Sequence, residues 1–226
     1  PMSVDDAVTM MKPNYDNYCF SENKLADCMF NSDMVLYCMK SLILHGVKPK
    51  EIVDPNIRTD FNKLAYLVRL DHGLGENFSV IKEIAEQGEI VTEIVTHFSA
   101  LEMTDVGNFK SLLFYFGLLS IKGVDMMGRP ILHIPNLVVR EQLFNFLIQG
   151  YARHDIFKLD VNRLRTLFEN MSFKGDWKPM FEFLAEAIRE QSRIREYIEG
   201  EAHIKGFLLA YLSMFRYYQL YPEYEM

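Results

Sequence analysis

The sequence lacks the long apolar runs, cysteine spacing and polar excess that mark membrane, disulfide-bonded and disordered chains. No apolar run reaches the roughly 18 residues that a membrane span requires, and even Gly206 to Phe215 has about half that length. Cys19, Cys28 and Cys38 are odd in number, show no C-x-x-C spacing and follow no signal-peptide pattern. We therefore expect reduced thiols in a cytoplasmic protein without a membrane partner. The 49% hydrophobic and 24% charged composition excludes a disordered chain.

An excess of positive charge is also missing. The formal net charge is −7, and the isoelectric point lies near 5.4. Proteins that coat nucleic acid through bulk electrostatics need clustered lysine and arginine. The composition therefore excludes that class, although it leaves a local basic face open.

Catalytic motifs are missing as well, and we predict no catalytic, cofactor-binding or metal-binding residue in this chain. There is no G-x-S-x-G, H-E-x-x-H or G-x-G-x-x-G. Gly123 and Gly128 have the spacing of a phosphate-binding loop, but Arg129 and Pro130 replace the lysine and hydroxyl residue that reach phosphate and Mg²⁺. The six histidines are scattered singly, without a second ligand at helical spacing. An autonomous enzyme of unknown type is a further hypothesis, but no set of catalytic residues supports it.

One set of residues superficially matches a metal-dependent nuclease. Asp16 is followed by Glu22, Asn23 and Lys24, which matches the carboxylate plus Glu-x-Lys set of such nucleases. That chemistry needs the residues on adjacent strands, so that two carboxylates hold Mg²⁺ and the lysine polarises the attacking water. Residues 11–33 are instead rich in turn formers and predict an irregular segment. We interpret the match as a coincidence.

The patterns that are present predict a mainly α fold: a helical bundle with a winged-helix-like β-hairpin and an unpaired terminal strand. Order is expected to begin at Ser32, the predicted N-cap of a helix that ends at Gly46. Thr59 is a predicted cap for a helix over residues 60–70, and Ser79 for one over residues 80–88. Residues 89–95 alternate enough to predict a short strand, and a helix is the alternative for this composition.

The middle of the chain predicts a helix, a hairpin and a second helix. Residues 105–119 are apolar and helical in pattern, and residues 118–123 and 130–136 flank a turn. Asn136, preceded by Pro135, is a predicted N-cap for the next helix. Helix followed by hairpin is similar to part of a winged helix. The candidate nucleic-acid contacts are the cations of the hairpin and the second helix: Lys122, Arg129 and Arg140. Arg153, further along the chain, would share their face.

The last third is predicted to be helical until the final residues. Residues 161–171 show an apolar stripe, and Asp176 is a predicted cap for the helix that follows. Residues 201–215 are apolar on nearly all sides, which is typical of a helix covered by protein. Residues 217–226 form an aromatic, β-type run that predicts an unpaired strand. Because an unpaired edge tends to pair with another chain, we expect self-association through this strand, which light scattering tests.

Three segments in order resemble one family. "NYDNYCFSE" and "FNSDMVLYCM" are similar to the "WYDGYxF... YNPxSLLNFL" signature that follows the ATPase core in bacterial AAA-ATPase-like proteins with a C-terminal PD-(D/E)XK nuclease domain. "SLLFYFGLLSIKG" with "LHIPNLVVREQLFNFL" resembles "LLYQTGYLTIKG... LxIPNxEVRExF". Residues 201–226 resemble the first helix and strand of the nuclease domain. Asn17 stands where the family usually has glycine, and Asn14 where tryptophan is common.

The resemblance implies a division of the chain into four parts. Residues 1–98 would be a helical lid-like region after an ATPase core, 99–155 a winged-helix-like region, 156–199 a helical linker, and 200–226 the start of a nuclease domain. Glu225 then matches the early strand glutamate of that domain, and Glu201 an acidic position on its first helix. The metal-binding aspartate and the Glu-x-Lys would follow Met226, so both chain ends are expected to be fragment ends.

The expected function is therefore a non-catalytic connecting region that couples ATP binding upstream to Mg²⁺-dependent nuclease activity downstream. The resemblance assigns ATP and Mg²⁺ to the parent protein and makes the rest of that chain the main partner. The alternative is a winged-helix-like module that binds DNA or protein. A cationic face shared by the hairpin and the second helix would favour DNA.

Overall fold

A computed structural model describes residues 3–49, 76–153, 159–190 and 201–212, together with 214 and 218. Within these ranges the chain is mainly α-helical with one small antiparallel sheet, which confirms the predicted fold class of helices with a β-hairpin. The described helices are α1 Val4–Tyr15, α2 Ser32–His45, α3 Glu76–Gln87, α4 Val106–Tyr115, α5 Leu137–Arg153, α6 Val161–Lys174, α7 Lys178–Glu190 and α8 Glu201–Leu212. The strands are β1 Glu89–Val91, β2 Ser120–Val124 and β3 Pro130–His133. The helix predicted at residues 60–70, with its cap Thr59, lies outside the described residues.

The chain divides into two compact units, Pro1–Leu143 and Phe144–Met226. The division falls inside α5, most of which the resemblance would assign to the winged-helix-like region. Among the described residues, every helix is either too short or too polar to cross a bilayer.

Helix α1 corrects the prediction that order begins at Ser32 and that residues 11–33 are irregular. It starts with a capping box in which Ser3 accepts from the backbone N–H of Asp6 at 3.1 Å, while the Asp6 carboxylate accepts from the Ser3 N–H at 3.3 Å. Pro13 lies in the last turn, where the loss of one N–H donor does not end the helix. Its buried face packs on α2 in an apolar cluster that also includes Val138 of α5: Met11, Tyr15, Met34, Cys38 and Val138.

Helix α2 confirms the predicted helix with a shifted cap. Asn31, rather than Ser32, is the N-cap, because its side-chain oxygen accepts from the backbone N–H of Met34 at 3.1 Å. Gly46 ends the helix in the left-handed conformation with φ +70°, as predicted.

Helix α3 and strand β1 correct two boundaries. The helix begins at Glu76, so Ser79 lies inside its first turn and is not a cap. Strand β1 is limited to Glu89–Val91 and does not extend to residue 95. Six residues of α3 are buried and form its core face: Asn77, Phe78, Val80, Ile81, Ile84 and Ala85.

The sheet has the order β1-β3-β2, with all neighbours antiparallel. Strand β3 is central: Leu132 lies between Ile90 of β1 and Ile121 of β2, and all three side chains are buried. The predicted succession of helix, hairpin and helix is confirmed as α4, β2, β3 and α5. Helix α4 is shorter than predicted because Gly117, with φ +70°, turns the chain after Tyr115.

In the second unit, α6 and α7 pack together through fully buried side chains: Leu164, Phe168, Met180 and Leu184. The guanidinium of Arg163 lies over the ring of Phe183 at 4.7 Å. Helix α7 begins at Lys178, which places Trp177 rather than the predicted Asp176 next to its first turn. Of the predicted terminal strand, the structure describes only Tyr218, whose ring packs edge-on against Phe168 at 5.7 Å between centroids.

Candidate functional site

Two segments that are distant in sequence meet at the outer edge of β2. The hydroxyl of Ser120 accepts from the backbone N–H of Cys19 at 2.7 Å and lies 2.8 Å from the carbonyl of Asn17, to which it donates. The Ile121 N–H donates to the Cys19 carbonyl at 3.0 Å, so Cys19 occupies the place of a further strand beside β2. Ser120 is fully buried. We call this contact region, formed by residues 16–20, 117–121 and Asn136, the junction.

Asn136 ties helix α5 to the junction with both ends of its amide. Its side-chain oxygen accepts from the backbone N–H of Val139 at 3.2 Å, which confirms the predicted N-cap. Its nitrogen donates to the carbonyl of Asp16 at 3.0 Å. Burial raises the pKa of the Tyr18 hydroxyl, and the nearby side chains of Asn136 and Asn31 act in the opposite direction. The cap of α5 is therefore also a link to the segment after α1.

Close packing around two backbone turns completes the junction. Asn17 is the non-glycine residue with positive φ, +80°, among the described residues. A Cβ added to Gly117 would meet the ring of Tyr18 at 3.4 Å, and Phe20 packs edge-on against Phe114 at 5.7 Å between centroids. The positive φ of Asn17 and Gly117 and the aromatic contacts of Tyr18 and Phe20 together hold residues 16–20 against β2.

The sheet also carries a charged group, in the cross-strand row that contains Ser120, His133 and Glu89. Lys122 forms an ion pair with Glu89 across the central strand, and Glu89 stands opposite His133 in register. Burial, then the Lys122 cation, lowers the pKa of His133; Arg140 adds to this effect and Glu89 opposes it. Two of the candidate nucleic-acid contacts, Lys122 and Arg140, are therefore brought to the same place around His133.

Arg129 lies at the turn end of the hairpin, whereas His133 ends β3 at the other end of that strand. Its guanidinium binds the carboxylate of Asp125 with Nε at 2.8 Å and Nη2 at 2.7 Å. Asp125 also accepts from the backbone N–H groups of Met127 and Arg129 at 2.9 and 2.8 Å. These hydrogen bonds, led by the one from the Arg129 backbone, hold the pKa of Asp125 below its ordinary value of 3.8. The tip is thus a hydrogen-bonded turn whose arginine is already paired with an acid.

The hairpin tip presents an apolar surface that the sequence reasoning missed. Met126 is fully exposed and Met127 is 80% exposed, although both are large apolar side chains. Val124 beside them is also exposed. The signal was present in the turn "VDMMGR", where two adjacent methionines replace the polar residues usual in hairpin turns. Met is a common residue on protein-binding surfaces because its side chain adapts its shape.

The other residues singled out in the sequence are not part of the junction or the hairpin tip. Glu201 begins α8, and its side chain, Glu225 and the side chain of Arg153 lie outside what the structure describes. Glu22 and Lys24 lie on a short 3-10 turn, not on strands, which agrees with reading the nuclease-like set as a coincidence. Among the described residues, no group of three or more histidine, cysteine, aspartate or glutamate side chains is placed to hold a metal ion.

Comparison with known proteins finds no matching family model, no matching curated protein and no matching solved structure.

Proposed function

We propose that this chain is a non-catalytic connecting region of a bacterial ATPase–nuclease fusion, in which it couples an ATP-binding domain to a metal-dependent nuclease. ATP and Mg²⁺ then belong to the flanking domains of the parent protein. The observation that carries the proposal is the junction. Residues 14–22 and 111–123, which carry the first and second parts of the family resemblance, are joined there through Ser120 and Ile121.

A connecting region transmits movement through elements that are joined to each other. Within the first unit the junction would do this, because a displacement of residues 16–20 would be passed to β2 through buried hydrogen bonds and to the start of α5 through Asn136. Asn17 adds a second support. The family usually has glycine at this position, and the φ of +80° here is a conformation that favours glycine and admits asparagine.

The alternative function, a binding module, is favoured by the exposed hairpin tip, and its features support a protein partner over DNA. Lys122 and Arg129 are each paired with an acidic side chain, so their charge is already compensated where phosphate would bind. Met126 and Met127 offer apolar area, which a protein surface buries and a phosphate backbone does not. Within the connecting-region proposal, the same tip would contact a neighbouring domain of the parent.

The first experiment reads the coding frame on both sides of the chain. An upstream G-x-x-x-x-G-K-[ST], with an aspartate and then Glu-x-Lys soon after Met226, is the expected result. A frame without either motif overturns the fusion and leaves the binding module. ATP or DNA hydrolysis by the isolated chain would also contradict a non-catalytic role.

The second experiment tests the tip in the full parent protein. The double variant Met126→Ser and Met127→Ser is expected to reduce the ATP dependence of nuclease activity. Leu101→Ser is the matched control, because Leu101 is 93% exposed in the same unit but lies outside the hairpin. Equal loss in both variants would remove the tip from the proposal.

A further inference from the structure

Tyr18 and Met29 form an isolated antiparallel bridge. The N–H of Tyr18 donates to the carbonyl of Met29 at 3.0 Å, and the N–H of Met29 donates to that of Tyr18 at 2.9 Å. They are therefore a hydrogen-bonded pair. In an antiparallel ladder the next opposed pair is a non-hydrogen-bonded one, with Cα atoms about 4.5 Å apart and side chains closer together.

Extended by one residue, the register of this isolated bridge places Cys19 opposite Cys28. The backbone of Cys19 fits this position, since its N–H and carbonyl point to Ser120 and Ile121 of β2 rather than to the Cys28 side. The Cα separation of a non-hydrogen-bonded pair lies within the range of about 4.4–6.8 Å that a disulfide spans.

The two thiols also lie close enough to interact electrostatically. The pKa of Cys28 is raised by burial first and by Cys19 second, with Asp16 and Asp27 adding to the effect. Both sulfur atoms lie over the short turn between them: Cys19 Sγ is 3.2 Å from the carbonyl oxygen of Ser21, and Cys28 Sγ is 3.4 Å from that of Leu25. Cys38 instead is buried in the cluster between α1 and α2.

We propose that Cys19 and Cys28 are a dithiol site that a low-molecular-weight disulfide oxidises to an intramolecular disulfide. Cys28 is half-buried and Cys19 is buried, so the Cys28 thiolate attacks first, forms a mixed disulfide and releases one small thiol. The Cys19 thiolate then attacks the Cys28 sulfur, forms the Cys19–Cys28 bond and releases the second small thiol. The protein loses two electrons and two protons, and the small disulfide gains both as two thiols.

Oxidation would link the segment that contains Met29 covalently to Cys19. Cys19 is the residue that joins residues 18–29 to β2. The closed loop holds the eight residues between the cysteines. A bond that links segments already adjacent restricts the unfolded chain, so the oxidised form is expected to be the more stable one.

The test incubates the full chain with glutathione disulfide, then blocks remaining thiols with N-ethylmaleimide. The expected intact mass carries one blocked thiol and no glutathione. Trypsin cuts after Lys24 and separates Cys19 from Cys28. A second protease that cleaves after acidic residues cuts after Asp33 and separates Cys28 from Cys38, so peptide mapping identifies the link. We expect Cys19–Cys28 and a melting temperature higher by on the order of 5 °C.

Two variants sharpen the outcome. Cys38→Ser should still form the disulfide, whereas Cys28→Ser should form none. A stable glutathione adduct on Cys28, three blocked thiols, or a bond that includes Cys38 overturns the proposal in the wild-type chain, whether or not either variant folds.

Discussion

The backbone N–H of Cys19 donates to the hydroxyl of Ser120 at 2.7 Å, across 101 residues of chain. This buried bond joins the segment after α1 to the outer edge of β2, and it leaves neither group exposed to water. Removing one partner of a buried hydrogen bond is more costly than the net worth of the bond, since the other partner stays desolvated. The junction therefore makes a direct prediction.

Ser120→Ala is expected to lower the free energy of unfolding by about 1–3 kcal/mol, because the Cys19 N–H and the Asn17 carbonyl lose their partner. Urea unfolding measures the loss. Ser41→Ala is the matched control: Ser41 donates to the carbonyl of Val47 at 3.0 Å at an exposed site, and its loss should stay within about 0.5 kcal/mol. Equal losses in the two variants would show that the buried hydrogen bonds of Ser120 stabilise the fold no more than an exposed one.

Asn17 should distinguish glycine from alanine. With φ at +80°, alanine costs about 1 kcal/mol in this conformation, whereas glycine adopts it freely. Asn17→Ala is thus expected to destabilise the chain and Asn17→Gly to leave its stability within about 0.5 kcal/mol. Asn23→Ala, at an exposed site on the 3-10 turn, is the control. If the glycine and alanine variants lose the same amount, backbone conformation is not what selects Asn17.

His133 should make stability depend on pH. Burial, Lys122 and Arg140 lower its pKa in the folded state, so the unfolded chain binds the proton more readily. The contribution is fully present above the ordinary value of 6.5 and is lost as the pH falls from there through the folded pKa. His133→Gln should flatten the pH dependence of the melting temperature over this window. His97→Gln, at an exposed site, is the control substitution. A wild-type profile without a slope there would contradict the assignment.

Asp125 should hold the hairpin turn. Its carboxylate accepts from the Met127 and Arg129 backbone and binds the Arg129 guanidinium. Because its folded pKa is lowered, this support is present above the ordinary value of 3.8 and is lost as the pH falls through the folded pKa below it. Amide hydrogen exchange at Met127 and Arg129 should accelerate in Asp125→Ala. Glu93→Gln should leave these amides protected, and equal exchange in both would mean that the backbone alone forms the turn.

Duplex DNA should bind weakly, with little dependence on salt, because Lys122 and Arg129 are paired with acids. Fluorescence anisotropy from low to physiological salt tests this. The double variant Glu89→Gln and Asp125→Asn frees both cations and should steepen the salt dependence. Tight wild-type binding that falls steeply with salt would instead favour a DNA-binding module.

Local patterns predicted the parts of the fold that depend on neighbouring residues. The hairpin and the Asn136 cap follow from turn formers and capping chemistry within a few residues. Helix α1 was missed because Pro13 and the Asn and Asp residues around it favour turns, although the Ser3–Asp6 capping pair was a signal for its start. Packing against α2 decides the outcome instead.

The junction could not be predicted in the same way. A serine on a strand gives no sign that its hydroxyl will meet a backbone 101 residues away. Asn17 was the one available signal, since an asparagine in place of a glycine points to positive φ. The terminal strand at residues 217–226 and the nuclease-edge position Glu225 remain predictions.

The strand order β1-β3-β2 has a consequence for synthesis on the ribosome. The turn at residues 125–129 lets β2 and β3 pair within microseconds once both have emerged. Val91 of β1 pairs with Ile131, however, and at about 5–20 residues per second the nascent chain carries β1 for about 2–8 s before that partner exists. During that interval α3, which directly precedes β1 and packs on it, is the nearest element that can shield Ile90 from other nascent chains.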